Sequence, residues 1–151
     1  MKRIVSRTEY CVGCGLCRIN CIVEHSRSKN VVKAFLHEHP RPTGGIKVHN
    51  RGACSLAVQC QHCENPGCIS ACISGALRKE EDGFVVHDPE KCVGCYACVL
   101  ACPFGSIRIK ENEKKIFKCD LCRHRNKPAC LEGCPNRALI QEECGNKEKQ
   151  S

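Results

Sequence analysis

Tryptophan is absent from these 151 residues, aromatic residues amount to 4 %, and methionine occurs once. Few bulky side chains are left to build an apolar core, and below about 80 residues per half such a chain needs staples or metals to hold together. No apolar run approaches the roughly 20 residues of a membrane-spanning helix. The first residues, Met1 to Cys11, contain neither an apolar stretch nor a twin arginine, so no export signal or direct membrane insertion is expected and the chain reads as cytoplasmic. No phosphate-cradling glycine loop and no nucleophile–base pair stands outside the cysteine-rich segments, so no catalytic site is expected.

Cysteine is what the chain has in excess: 18 of 151 residues, above the level that marks a cysteine scaffold. In a reducing compartment such a count reads as metal binding rather than disulfides. The formal charge of +8 invites a nucleic-acid partner, but the basic residues are scattered and lack the aromatic interleaving of a single-strand binder. Four thiolate-held [4Fe–4S] clusters would together contribute about −8, which leaves the loaded protein near neutral. Nucleic acid is therefore not expected as a partner.

Sixteen cysteines fall into four runs. Cys11, Cys14, Cys17 and Cys21 have two, two and three intervening residues, as do Cys92, Cys95, Cys98 and Cys102, the last followed by Pro103. This is the spacing of bacterial ferredoxin runs, in which the fourth cysteine ligates a neighbouring cluster. Cys60, Cys63, Cys68 and Cys72 keep the pattern with a middle step widened by Pro66-Gly67. Cys119, Cys122, Cys130 and Cys134 carry a longer basic loop, Arg123 to Ala129. Zinc ribbons also use CxxC pairs, but a third CxxC step strands a thiol there, so a multi-zinc interaction module is the weaker reading. Exchange of the fourth ligand within the middle segment predicts one cluster on Cys60, Cys63, Cys68 and Cys102 and another on Cys92, Cys95, Cys98 and Cys72.

Between the runs, Arg18–His25 is expected as a short helix, and Val31–Leu36 as a strand or helix. His37–Gly45 reads as a turn-rich loop, Ile46–His49 as an exposed strand, and Arg78–His87 as a hairpin turning at Asp82-Gly83. Cys54 is expected as a buried thiol and Cys144 as an exposed tail thiol. His62 and His124 are candidate hydrogen-bond donors to cluster sulfur, and Tyr96 and Phe104 candidate water-excluding walls. The expected fold class is α+β, small and cluster-stabilised, with two nested dicluster-ferredoxin-like modules of short hairpins and helices. Residues 1–25 and 115–140 form the outer module, 26–53 connect, 54–112 form the inner module, and 141–151 are a flexible tail.

Residues Thr8–Ile140, and most specifically Val58-Gln59-Cys60-Gln61-His62-Cys63-Glu64-Asn65-Pro66-Gly67-Cys68 and the run ending in Pro103, resemble the four-cluster electron-transfer subunits of the dimethyl-sulfoxide-reductase iron–sulfur family. The resemblance implies that Cys11, Cys14, Cys17 and Cys134 hold one cluster and that Cys119, Cys122, Cys130 and Cys21 hold another. It implies a carrier without a substrate site, working beside redox enzyme subunits such as carbon monoxide dehydrogenase, hydrogenase, formate dehydrogenase, a molybdopterin oxidoreductase or an NAD(P)-linked flavoprotein, in an anaerobic setting. Among the family's short members the chain looks most like the ferredoxin-like protein that accompanies nickel–iron carbon monoxide dehydrogenase. Ile22 and Ile73 depart from the pattern by replacing proline.

Overall fold

A computed structural model describes residues 2–110 and 113–143. Thirteen short elements run in the order β1 (Lys2–Ser6), α1 (Leu16–Glu24), α2 (Val31–Leu36), β2 (Lys47–Arg51), β3 (Cys54–Val58), α3 (Gly67–Ser70), β4 (Leu77–Lys79), β5 (Val85–His87), α4 (Ala97–Leu100), β6 (Arg108–Ile109), β7 (Ile116–Phe117), α5 (Ala129–Glu132) and β8 (Leu139–Glu143). The strands make four separate antiparallel pairs, β1 with β8, β2 with β3, β4 with β5 and β6 with β7. None of these ribbons has the three strands that a sheet needs for stability without help from its surroundings.

Chain ends meet in the β1–β8 pair, where Ile4 faces Gln141 and Ser6 faces Leu139. The strand therefore continues three residues into the expected flexible tail, because Gln141, Glu142 and Glu143 find ladder partners on β1. Arg3 and Glu142 add a surface ion pair at 3.9 Å, worth little by itself. Cys144 lies outside the described residues.

Helix α1 abuts α5, and α3 abuts α4, so each helix pair joins cysteine runs that are distant in sequence. One buried cluster gathers Ile4, Ile46, Ala57, Leu121 and Leu139 with Cys17, Cys21 and Cys130. The other gathers Leu77, Val85, Ile107 and Ile116 around Cys98. Both small cores are thus partly made of sulfur. The expected boundary at residues 53/54 falls in the β2–β3 turn, and Ala57 of β3 packs in the same cluster as Ile4 and Leu139.

Val31–Leu36 is helical, started by Asn30, whose side chain accepts the Lys33 N–H at 3.1 Å. Ile46 is buried rather than exposed. The 80–84 turn forms at Asp82-Gly83, with Asp82 Oδ1 accepting the Phe84 N–H at 3.2 Å and Gly83 at φ +86. Among the described residues no helix is long and apolar enough to cross a membrane.

Ile4 is 1 % exposed and contributes to the closure of the two chain ends. Ile4→Ala is expected to lower stability by about 2–5 kcal/mol, read as a fall in the anaerobic thermal midpoint with the iron content of the native form unchanged.

Candidate iron–sulfur centres

The second residue inside each run-opening CxxC adopts positive φ: Gly13 at +68, His62 at +45, Gly94 at +72 and Leu121 at +56. A left-handed residue at this point turns the backbone around the sulfurs, so that N–H groups can point inward. Glycine adopts it freely, whereas a side chain there is strained by about 1–2 kcal/mol. His62 and Leu121 are 1 % and 5 % exposed, so their burial offsets that strain. At Gly94 the constraint is also steric, because an added Cβ would lie 2.3 Å from the Lys114 carbonyl oxygen.

In the second, third and fourth runs the fourth cysteine sits two residues beyond a helix end, and the fourth cysteines accept backbone hydrogen bonds. Ser106 N–H donates to Cys102 Sγ at 3.5 Å and Ala138 N–H to Cys134 Sγ at 3.2 Å, four residues on in both cases. Ser74 Oγ lies 3.8 Å from Cys72 Sγ. In the first run α1 continues through Cys21 to Glu24, and the N–H to Cys21 Sγ comes from Gly45, 3.4 Å away. Ile22 fits this extension because it supplies the amide that proline would lack. Ile73 allows no such extension, since α3 ends at Ser70.

The structure brings the cysteines together across the runs. Cys11, Cys14, Cys17 and Cys134 line one recess with Val48, Ala57 and Leu139. Cys60, Cys63, Cys68 and Cys102 line another with Val85, Phe104 and Ile107. Burial pushes the Cys98 thiol up to about 11, with Cys72 and Cys95 adding to the rise. Burial likewise raises Cys130 and Cys119, with Cys21 among the neighbours contributing to both and Cys122 to the first. Cys17 is raised to about 11 by burial, partly opposed by the Arg18 N–H, with Cys134, Cys14 and Cys11 adding to it. Crowded thiols that resist ionisation are poor company for one another without a cation. Iron supplies that cation, and four sulfur donors in an apolar, N–H-lined recess suit a [4Fe–4S] group.

Other candidates divide. His62 is buried: its Nδ1 accepts the Val85 N–H at 3.2 Å, and burial, then the Lys118 ammonium, push its pKa down to about 3. His124 is half exposed and pairs with Glu24 at 2.8 Å, so it is a surface clasp between α1 and the 123–127 loop rather than a donor to sulfur. Phe104 lines the Cys60 cavity while 41 % exposed, and Tyr96 packs partly buried against the Cys98 core. Cys54 is exposed rather than buried, because it opens β3 beside the solvent-facing turn at Gly52. Sequence reasoning passed over His25, whose Nε2 lies 3.1 Å from Asp120 beside Cys21. Burial opposes its charge, but Asp120 and Cys21 raise it to about 11. It also passed over Lys118, 7 % exposed. A lysine immediately before a CxxC after an apolar pair was the only available signal.

Four groups of thiols, wrapped by left-handed turns and capped by amides, define an iron–sulfur protein of the ferredoxin class. The chain belongs to the 4Fe–4S dicluster family: the model for the 4Fe-4S dicluster domain matches residues 53–143. The protein is 38 % identical to the B subunit of anaerobic dimethyl sulfoxide reductase of Escherichia coli over 137 residues, 85 % of its own length and 67 % of that subunit. It is 35 % identical to the putative electron transport protein YsaA of Escherichia coli over 149 residues, covering 97 % and 90 %. Its identity to the electron transport protein HydN of Escherichia coli is 32 % over 157 residues, covering 91 % and 85 %. The fold is similar to that of one component of the active-site complex BamBC of benzoyl coenzyme A reductase, with a TM-score of 0.52, 19 % identity and coverage of 99 % and 83 %. The cofactors are [4Fe–4S] clusters, and sixteen thiols in four runs match four of them.

Gly94→Ala combines left-handed strain with the collision at Lys114, whereas Gly75, at φ +65, has open space around an added Cβ. Gly75→Ala is expected to cost about 1–3 kcal/mol from strain. Gly94→Ala should cost distinctly more and release iron at lower temperature, as followed by the visible cluster absorbance on heating.

Proposed function

We propose that this chain is an electron-transfer subunit whose four clusters relay single electrons between a redox enzyme and an acceptor, with no substrate site of its own. The proposed ligand sets are Cys11, Cys14, Cys17 and Cys134; Cys60, Cys63, Cys68 and Cys102; Cys92, Cys95, Cys98 and Cys72; and Cys119, Cys122, Cys130 and Cys21. Residues 1–25 with 115–140 form the outer module of this scheme, 54–112 the inner one, and 26–53 the connection. When bound, the clusters supply one-electron chemistry without bond making in a substrate. The cysteines hold iron, the inward amides stabilise charge on sulfur, and the apolar walls exclude water.

The observation that carries this reading is the adjacency of the four groups in a single series. Cys98 has Cys68 of the next set among its neighbours, Cys119 has Cys60, and Cys130 has Cys17. The order is therefore the Cys92 set, the Cys60 set, the Cys119 set and the Cys11 set. A series with two open ends suits a wire between two partners, with no branch for a substrate.

For the partner we propose carbon monoxide dehydrogenase in the cytoplasm, with a hydrogenase or a ferredoxin/NAD(P) oxidoreductase as acceptor. That reading rests on the resemblance of this short chain to the ferredoxin-like protein that accompanies nickel–iron carbon monoxide dehydrogenase; HydN and YsaA, matched over most of their length, support electron transport alone. The second reading, a subunit of a formate dehydrogenase, hydrogenase or molybdopterin oxidoreductase, is favoured by the 38 % identity to the dimethyl sulfoxide reductase subunit.

Anaerobically purified protein is expected to contain about sixteen iron and sixteen acid-labile sulfide per chain; stoichiometric zinc without sulfide would sink the proposal. Cys98→Ala should lose one cluster's worth of both and lower stability, because binding and folding are coupled. Carbon monoxide should bleach the clusters only when purified carbon monoxide dehydrogenase is added. Absence of bleaching would remove that partner, and anaerobic co-purification from the native host would then identify the other.

A further inference from the structure

Lys118 follows β7 and precedes Cys119 in the fourth run, and only 7 % of its surface is exposed. Its Nζ donates to the Val85 carbonyl oxygen at 2.6 Å, and it lies 3.4 Å from His62 Nδ1 and 3.5 Å from the Cys119 carbonyl oxygen. Among the described residues no carboxylate lies within ion-pair distance of it. A buried ammonium with only neutral partners is costly unless an anion stands nearby.

Both Lys118 and His62 line the cavity formed by Cys60, Cys63, Cys68 and Cys102. The His62 ring, 1 % exposed, accepts the Val85 N–H at Nδ1, so the neutral ring carries its proton on Nε2, which has no hydrogen-bond partner among the described residues. Two donor groups therefore wall the recess that holds the four sulfurs. A [4Fe–4S] cluster on four thiolates carries about −2 when oxidised and about −3 when reduced. We propose that Lys118, positioned by the Val85 carbonyl and His62, is the built-in counter-cation of the cluster held by Cys60, Cys63, Cys68 and Cys102, and raises that cluster's reduction potential relative to the same site without the charge. The sign follows from the charges: the ammonium stabilises the −3 state more than the −2 state, so reduction becomes easier. This rests on the ligand sets proposed above.

The test is an anaerobic redox titration of the full-length, four-cluster protein followed by electron paramagnetic resonance. Cys68→Ser first marks which signal belongs to the Cys60 set, and Cys102→Ser must change the same signal. If the two change different signals, the ligand set fails on its own, whatever Lys118 does. Lys118→Met is expected to lower the midpoint of the marked signal by roughly tenfold in reduction equilibrium, about 59 mV for one electron, leaving the other three in place. Lys118→Arg, which keeps the charge, should stay near the native value. No shift in Lys118→Met, or a shift confined to a signal that Cys68→Ser leaves intact, overturns the proposal. Where Lys118→Met or Lys118→Gln fails to hold the marked cluster, its retention in Lys118→Arg supports the charge requirement. Loss of the cluster in all three variants overturns it.

Discussion

Sulfur crowded into four small volumes sets the terms for every other part of this protein, because the thiols occupy positions where aromatic and aliphatic bulk would otherwise stand. Cys17, Cys21, Cys98, Cys122 and Cys130 are all buried, and the two apolar clusters of the chain each contain some of them. Burial raises the thiols, so the metal-free arrangement would hold neutral sulfur in close quarters with little to bind it together. Iron converts that crowd into bonded thiolates, and the folding of short ribbons and one-turn helices is then coupled to cluster binding. Surface ion pairs such as Arg123 with Glu80 and Asp82 add only small increments to that frame.

Backbone conformation follows from the same demand. A left-handed residue recurs at one fixed place in all four runs, whether it is glycine, histidine or leucine. That recurrence shows a geometry imposed by what the loop must enclose rather than by the local preference of each residue. The fourth cysteines are then served by amides, taken locally at Cys102 and Cys134 and from across the fold at Cys21.

Much of this was readable in the chain, and the division has a physical cause. The runs declare themselves because cluster ligation is set by short covalent spacing, and Asp82-Gly83 declares its turn because the conformation is local. The Gly45 amide on Cys21 spans 24 residues, and no periodicity marks it. Cys54 reads as buried from composition, yet the turn beside it faces water. The exit strand at Leu139-Ile140 was legible, but its continuation was hidden because Gln141–Glu143 look like a solvated tail until β1 is placed alongside. His124 carries the chemistry to face sulfur but lies closer to Glu24, a choice decided by the fold of a seven-residue loop.

The pairing of β1 with β8 also has a consequence in time. During synthesis β1 precedes every other described element, and residues 139–143, its strand partners among the described residues, follow all of them. Until those residues are made, β1 stands with an open edge, and α1 waits for α5. The β4–β5 hairpin and the α3–α4 pair, by contrast, lie wholly within residues 67–100 and have their partners before β8 is made. Maturation of the described fold accordingly runs from its inner ribbons outward, and a truncation before residue 139 leaves β1 without its pair.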